Sequence, residues 1–346
     1  DRLNKPELAS KFFDYIFKNW ICLATPVAAN LGADRGLPIS CFSTHVNDTT
    51  DDIFKSYHEV AMLTKHGGGI GKYWGDVRGR GVPIKGGGYS EGIIPWLKIE
   101  ETVLQAVSQS GTRRGAGANY LDMEHPDADE FIDIRRPTGD LTRRRLTSNF
   151  HHAMKIGDNF IHEMLQGNSK NRELWTKLLK ARVETGEPYV MFTDNANKNL
   201  PQAYVNNNLK VHTSNLCSEI FLHTDKDHTF VCCLSSLNLA RYDEWKSTDV
   251  VEVAIWFLDG VMEEFIIKAS KGVEPIIANY FAQKSAKGTF IRKNPVLEKI
   301  LNESNRNSPE VWHQISVDSG SVKNVSCLSD HEKEVFQTAR EINQFA

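Results

Sequence analysis

Glu173-Leu174-Trp175-Thr176-Lys177-Leu178-Leu179-Lys180-Ala181-Arg182-Val183-Glu184-Thr185 runs into Gly186-Glu187-Pro188 and then Tyr189-Val190-Met191-Phe192. The spacing predicts a helix, a glycine cap that ends it, and a short buried strand. The same alternation continues upstream, where Phe150 to Ile156 alternates like a strand and Asp158 to Leu165 reads as a helix. Further out, Ile93 to Val107 is helical, Ala118 to Leu121 extended and Asp127 to Arg135 a short helix before Pro137-Thr138-Gly139. Strands alternating with helices predict an α/β fold with much parallel pairing.

Toward the N-terminus, Pro6 to Trp20 places Leu8, Phe12, Phe13, Ile16 and Phe17 on one helical face. A looser stretch from Thr25-Pro26 to Pro38 leads into a short strand, Ile39 to Ser43, and Asp51 to Lys65 forms a helix with acids at its start and Gly67 as its stop. Downstream, Thr229 to Leu239 is extended and Asp249 to Lys268 helical. Lys271 to Asn294 has weak periodicity, Asn302 to Ser308 is polar, and Ser329-x-x-Glu332 opens a last helix through a capping box.

Composition narrows the class. The chain has 346 residues, 40% hydrophobic and 25% charged, with a formal charge of -3. That supports a sizeable core and gives no general reason to expect nucleic acid or an anionic membrane as partner. The Arg143-Arg144-Arg145 run reads as a solvated or acid-paired face. No apolar run reaches the roughly 18 residues of a membrane span. Six unevenly spaced cysteines, two of them adjacent at Cys232-Cys233, suit a reducing compartment, so the cytoplasm is expected.

Three small-residue clusters stand out: Gly67-Gly68-Gly69-Ile70-Gly71; Gly79, Gly81 and Gly86-Gly87-Gly88 among Arg78, Arg80 and Lys85; and Ser108 to Gly117 with two arginines. Flexible loops and phosphate contact are both open readings, and none fits a Walker A loop or a dinucleotide fingerprint. The densest chemistry is Asn215-Leu216-Cys217-Ser218-Glu219. In extended backbone its amide, thiol and carboxylate project to one side, because strand side chains have a period of two. A zinc cluster of Cys217, Cys232, Cys233, His223 and His228 departs from the usual CxxC spacing. A nucleophilic Cys217 has no histidine tied to it, and a plainly buried cysteine leaves the trio unexplained.

Taken together, Ile39-Ser40-Cys41, Gly67–Gly71, Arg78-Gly79-Arg80-Gly81-Val82-Pro83-Ile84-Lys85-Gly86-Gly87, Ser108-Gln109-x-Gly111-x-Arg113, Asn215-Leu216-Cys217-x-Glu219 and Cys232-x-Leu234-Ser235-x-x-Asn238-Leu239 resemble, in order and separation, the large subunits of ribonucleotide reductases. The match covers roughly residues 20–270. The resemblance implies a ten-stranded α/β barrel of two five-stranded parallel halves placed antiparallel, with Cys217 at the tip of a central finger loop. It implies reduction of ribonucleoside di- or triphosphates to 2′-deoxyribonucleotides. Cys217 would carry the thiyl radical that takes the 3′ hydrogen, Glu219 would be the base for the 3′ hydroxyl, and Asn215 would bond the ribose hydroxyls. Cys41 and Cys232 would be the dithiol that ends as a disulfide, and Cys233 has no assigned role. Thr25, Ser40, Gly68 and Gly69 fall where the family contacts substrate, with Asn215 and Glu219. Asp48 and Arg78 fall where it binds a deoxynucleotide or ATP effector, and Gln109 and Arg113 where effector identity is relayed to the substrate base.

By the same resemblance no metal or cofactor is bound directly by the chain. The radical comes from a metal-carrying small subunit or, alternatively, from adenosylcobalamin. The other implied partners are a second copy of the chain and thioredoxin or glutaredoxin. Two departures are expected to matter. Residues 1–270 read as the barrel core and 271–346 as its C-terminal part, with family sequence, including the turn for the substrate phosphate, missing at about 270/271. Neither an N-terminal ATP-regulatory domain nor a C-terminal pair of adjacent tyrosines is recognisable. A third reading is therefore an inactive fragment that serves as a binding or assembly module for a missing half.

Overall fold

The computed structural model describes residues 6–33, 36–107, 114–136, 150–270, 278–285, 288–338 and 341. In chain order the first elements are α1 (Pro6–Phe17), β1 (Ile21–Leu23), α2 (Thr25–Asn30), β2 (Cys41–His45), α3 (Thr50–Lys65), β3 (Gly69–Tyr73), α4 (Ile94–Ala106), β4 (Gly117–Asp122) and α5 (Ala128–Ile132). They continue with β5 (Phe150–Ile156), α6 (Asp158–Leu165), α7 (Ser169–Thr185), β6 (Tyr189–Phe192), α8 (Thr193–Lys198), α9 (Gln202–Asn206), β7 (Phe230–Cys232) and β8 (Ser235–Leu237). The last are α10 (Tyr242–Trp245), α11 (Val250–Ser270), β9 (Tyr280–Ser285), β10 (Gly288–Lys293), α12 (Pro295–Glu303), α13 (Pro309–Val317) and α14 (Asp330–Val335).

The main sheet has the order β6-β5-β4-β3-β2-β7. Strands β2 to β6 are parallel neighbours in sequence order, each return made through helices, which is the βαβ logic of the α/β class. Only β7 runs antiparallel, on β2. The described residues thus supply one whole five-stranded parallel half and a first strand of opposite sense, as two halves placed antiparallel require. Among them no further strand joins this sheet.

Strands β2 to β5 are buried on both faces, polar positions included: Ser43, Thr44, Lys72, Asn119, His152 and Lys155 are all inside. On the far side of β3, Lys72 is fully buried and pairs with the equally buried Glu100 of α4 at 2.8 Å. Tyr57 and Trp74 lie against the same ammonium. Helix α3 starts at Thr49, whose hydroxyl accepts from the Asp52 amide, and buries Ile53, Tyr57 and Val60 at helical spacing. Helix α7 ends at Gly186 with φ 79°, the left-handed stop its sequence predicts.

Three expectations change. The looser stretch after Thr25 holds α2, nucleated by Pro26 in its first turn, where the fixed proline φ suits a helix. The first glycine cluster is not a loop beyond Gly68: Gly69–Tyr73 is the central strand β3, buried along its whole length. The extended segment 229–239 is broken at Cys233-Leu234, because β7 pairs with β2 while β8 pairs with β1.

The chain divides into two compact units, 1–264 and 265–346. In the first, Tyr15, Trp20, Ile21, Trp245, Val250 and Val253 pack a second core beside the sheet. In the second, Leu297, Leu301, Trp312, Ile315, Val322 and Val325 form a core of their own. The weakly periodic stretch before α12 contains the hairpin β9–β10. The capping box is present, with Ser329 and Glu332 bonding each other's backbone amides. No described helix is long and apolar enough to cross a membrane.

Candidate active site

One face of the main sheet carries the odd-numbered positions of β2 and β3 (Cys41, Ser43, His45; Gly69, Gly71, Tyr73) and, by register, Ala118, Tyr120, Ala153 and Tyr189. The segment 211–220 crosses this face. Ser43 donates to the Ser214 carbonyl at 3.2 Å, and the Tyr120 hydroxyl donates to the Asn215 carbonyl at 2.7 Å. Leu216 packs on the cluster formed by Tyr73, Ala118, Tyr120, Ala153 and Met191. The crossing is close enough that a Cβ on Gly71 would lie 2.0 Å from the Ser214 oxygen. That contact, rather than ligand access, explains this glycine.

Residues 215–219 are not extended. The Ser218 amide donates to the Asn215 carbonyl at 3.2 Å, and Ser218 has φ 67°, so the stretch is a tight turn. Asn215 is fully buried and organises it: Oδ1 accepts from the amides of Glu219 and Ile220, each at 3.1 Å, and from the Ser214 hydroxyl at 3.2 Å. Its Nδ2 donates to Glu219 Oε1 at 2.9 Å. The amide and the carboxylate therefore meet through a turn and not through strand alternation. Cys217 stands exposed at the tip. The Tyr189 phenol is raised by burial first and further by the charges of Glu187, Cys217 and Glu219, which puts it within electrostatic reach of the finger.

Cys41 and Cys232 are direct register partners across the antiparallel β2–β7 pair, 2% and 4% exposed. Directly opposed strand residues have Cα atoms about 4.5–5.5 Å apart, inside the disulfide range of about 4.4–6.8 Å. Next to them Ser40 is buried, and its hydroxyl has no hydrogen-bond partner among the described residues. Burial raises the neighbouring Cys233 thiol to about 11, which keeps it protonated, and its Sγ lies 3.8 Å from the Leu258 carbonyl.

The family model described as "Ribonucleotide reductase, barrel domain" matches residues 39–170, 163–266 and 264–346. The chain belongs to the ribonucleotide reductase barrel family. A Frog virus 3 (isolate Goorha) protein, provisionally named a ribonucleoside-diphosphate reductase large subunit, is 41% identical over 77% of this chain and 48% of its own length. The large subunit of Invertebrate iridescent virus 3 is 25% identical over 98% of this chain and 80% of its own. That alignment runs over 512 positions, more than the chain has residues, so part of that relative has no counterpart within the matched span. Among solved structures, the Actinobacillus ureae class Id ribonucleotide reductase alpha subunit superposes with a TM-score of 0.69 at 32% identity, covering 98% of this chain and 81% of that one. The chain spans about half the length of the first of these relatives and 27% of the alpha subunit of Chlamydia pneumoniae.

Within this reductase-family chain the remaining expected residues are placed unevenly. Thr25 is exposed at the start of α2. Gly68 and Gly69 have committed amides, donating to the Leu63 and Ser40 carbonyls at 3.0 and 2.9 Å, and a Cβ on Gly68 would strike the Phe42 ring. Asp48 accepts from the Arg78 backbone amide at 3.2 Å and from its guanidinium at 2.6 Å. The pair borders a groove of about 610 Å³ shared with Lys85 and Tyr89. Gln109 and Arg113 lie outside the described residues, as does the Arg143–Arg145 run. The cysteines of the zinc reading do not join a metal-binding group among the described residues; only His223 and His228 of that set come together, around Asp225. Sequence reasoning missed the supports of the finger, Ser43, Gly71 and Tyr120. The even spacing of Cys41, Ser43 and of Gly69, Gly71 marked one strand face and was the available signal.

Proposed function

We propose that this chain carries the catalytic half-barrel of a class I ribonucleotide reductase large subunit, reducing ribonucleoside diphosphates to 2′-deoxyribonucleotides. The observation that carries the reading is the register pairing of Cys41 with Cys232 on the sheet face that the Asn215–Glu219 turn crosses. Cys217, as a thiyl radical, takes the 3′ hydrogen of the ribose, and Glu219 accepts the 3′ hydroxyl proton. The 2′ hydroxyl leaves as water with a proton from one thiol of the Cys41/Cys232 pair. The hydrogen of the other thiol forms the new C2′–H bond, while the 3′ oxygen regains its proton from Glu219. Cys217 then returns its hydrogen to C3′. The dithiol has given two electrons and two protons and ends as a disulfide. Asn215 holds Glu219 in place and has a second amide hydrogen for a ribose hydroxyl. The buried Ser40 hydroxyl, without a hydrogen-bond partner among the described residues, supplies a substrate contact.

The radical comes from a separate metal-carrying small subunit. The name of the Actinobacillus neighbour, a class Id alpha subunit, supports this over adenosylcobalamin. Thioredoxin or glutaredoxin reopens the disulfide. A nucleotide effector at the Asp48–Arg78 groove, relayed through Gln109 and Arg113, and assembly with a second copy complete the reading. The segment expected to be missing at 270/271 fits the unmatched positions in the iridescent virus alignment, and the cytoplasm is the compartment where the thiols stay reduced.

The test is a single turnover without external reductant, using a longer form of the subunit that contains the residues unmatched in the iridescent virus alignment, together with the small subunit, read by peptide mass spectrometry. One Cys41–Cys232 disulfide is expected per deoxynucleotide formed, and neither product nor disulfide in the Cys217→Ser variant. Product accompanied by two intact thiols at these positions would reject the assignment.

A further inference from the structure

Between the finger and β7 the chain makes a short loop, and its donors converge on one point. His223 Nε2 lies 3.1 Å from Asp225 Oδ2, and His228 Nδ1 lies 2.8 Å from Asp225 Oδ1. One ligand atom from each of the three side chains lies within 4.8 Å of the others. The two imidazole rings are 5.9 Å apart. The loop is built rather than loose: Thr224 is fully buried, its hydroxyl donates to the His228 carbonyl at 2.7 Å, and the Ser43 carbonyl lies 3.2 Å from the same oxygen. The Asp227 amide donates to Asp225 Oδ1 at 2.8 Å and holds the carboxylate in place.

An observation outside the cluster gives it a direction. His223 Nδ1 lies 2.7 Å from the Lys210 carbonyl, a contact that only an N–H can make. The Lys210 amide is farther from the same nitrogen, at 3.4 Å. With Nδ1 committed as a donor, Nε2 is the ring nitrogen that faces the Asp225 carboxylate and can ligate a cation held between them. A backbone carbonyl on the second ring nitrogen is the outer-shell arrangement that orients metal-binding histidines. We propose that His223, Asp225 and His228 bind one divalent transition cation of the zinc, cobalt or nickel type. Two imidazoles and a carboxylate suit these ions, and solvent completes the coordination, since His228 is 68% exposed. No thiol takes part. The ion closes the loop that joins the finger to the strand carrying Cys232, so it braces both without entering the reaction. This inference stands whether or not the reductase reading holds.

The test titrates cobalt(II), and separately zinc(II), into the metal-free full chain, with binding read by absorption and by calorimetry. One cobalt per chain is expected, with visible d–d bands and no thiolate charge-transfer band. Affinity should fall at least about tenfold in Asp225→Asn and in His228→Ala, and stay unchanged in Cys217→Ser. Because His228 is largely exposed, its variant keeps the fold, and a matching circular dichroism spectrum verifies that. Absence of stoichiometric binding, a thiolate band, or equal affinity in both loop variants would each overturn the site.

Discussion

At the scale of single residues the finger rests on individual side chains of the sheet face, Ser43 and Tyr120, and on the bare backbone of Gly71, which makes these supports sharp targets. Gly71 leaves room for the Ser214 carbonyl only because it has no Cβ; an alanine methyl would sit 2.0 Å from that oxygen and 3.0 Å from the Asn215 Cα. The sheet is fixed by its ladders on both sides of β3, so the finger must yield. In Gly71→Ala the turn lifts and Asn215 and Glu219 move with it; on the proposed chemistry, turnover of the longer subunit form should fall by about a hundredfold or more, the usual consequence of misplacing reacting groups by an ångström. Turnover and thermal unfolding measured together decide the matter. Parent-like activity would mean that the crossing is not tight in the working enzyme, whereas global unfolding would show that β3 gives way instead.

At the scale of elements, a glutamate clasps two strands. Glu187, in the turn before β6, accepts from His151 Nδ1 at 2.6 Å, from His152 Nδ1 at 3.1 Å and from the His152 amide at 3.3 Å, all on β5. Burial opposes its ionisation, but the two histidine hydrogen bonds outweigh that and hold its pKa at about 2. A carboxyl depressed below its ordinary value contributes stability that is complete above about pH 4.5 and is lost as pH falls toward 2. Burial also lowers the His152 pKa, so charging that ring adds acid sensitivity beginning nearer pH 6.5. In Glu187→Gln the loss of stability between pH 4.5 and 2.5 should shrink by on the order of 2 kcal/mol, while the part due to His152 persists. Denaturant midpoints across that range measure it; identical slopes in parent and variant would place the acid sensitivity elsewhere. The clasp also shows what a sequence can reveal. The helix, Gly186 and β6 were legible because period and cap are local signals. Strand β3 was hidden in Gly67–Gly71, since glycine reads as a loop until the segment crossing above it is known. The turn at 215–219 was read as extended because the residue types of a site do not encode its backbone. The hairpin β9–β10 lacked a period strong enough to announce it.

At the scale of the molecule, the three cysteines proposed to react differ in how well the described residues cover them. Cys41 and Cys232 are enclosed between β2 and β7, whereas Cys217 stands exposed at the tip of the finger. A thiyl radical in contact with solvent is lost to side reactions, so on the proposed chemistry the site must exclude water before Cys217 is oxidised. The iridescent virus alignment, longer than this chain, points to residues of that relative without a counterpart here, and among the described residues the sheet has a single strand of the opposite sense. Cover for the finger is therefore expected from those residues. In the chain of this sequence, a maleimide should label Cys217 well before Cys41 and Cys232, and mixing with the small subunit should yield no deoxynucleotide. A longer form that contains the unmatched residues should turn over and slow Cys217 labelling by about tenfold or more, because thiol reactivity follows access as well as thiolate fraction. Labelling followed by peptide mass spectrometry gives the order directly. Should the chain of this sequence reduce ribonucleotides at the rate of the longer form, the half-barrel would suffice, and the exposure of Cys217 would have to be relieved by the substrate or the small subunit itself.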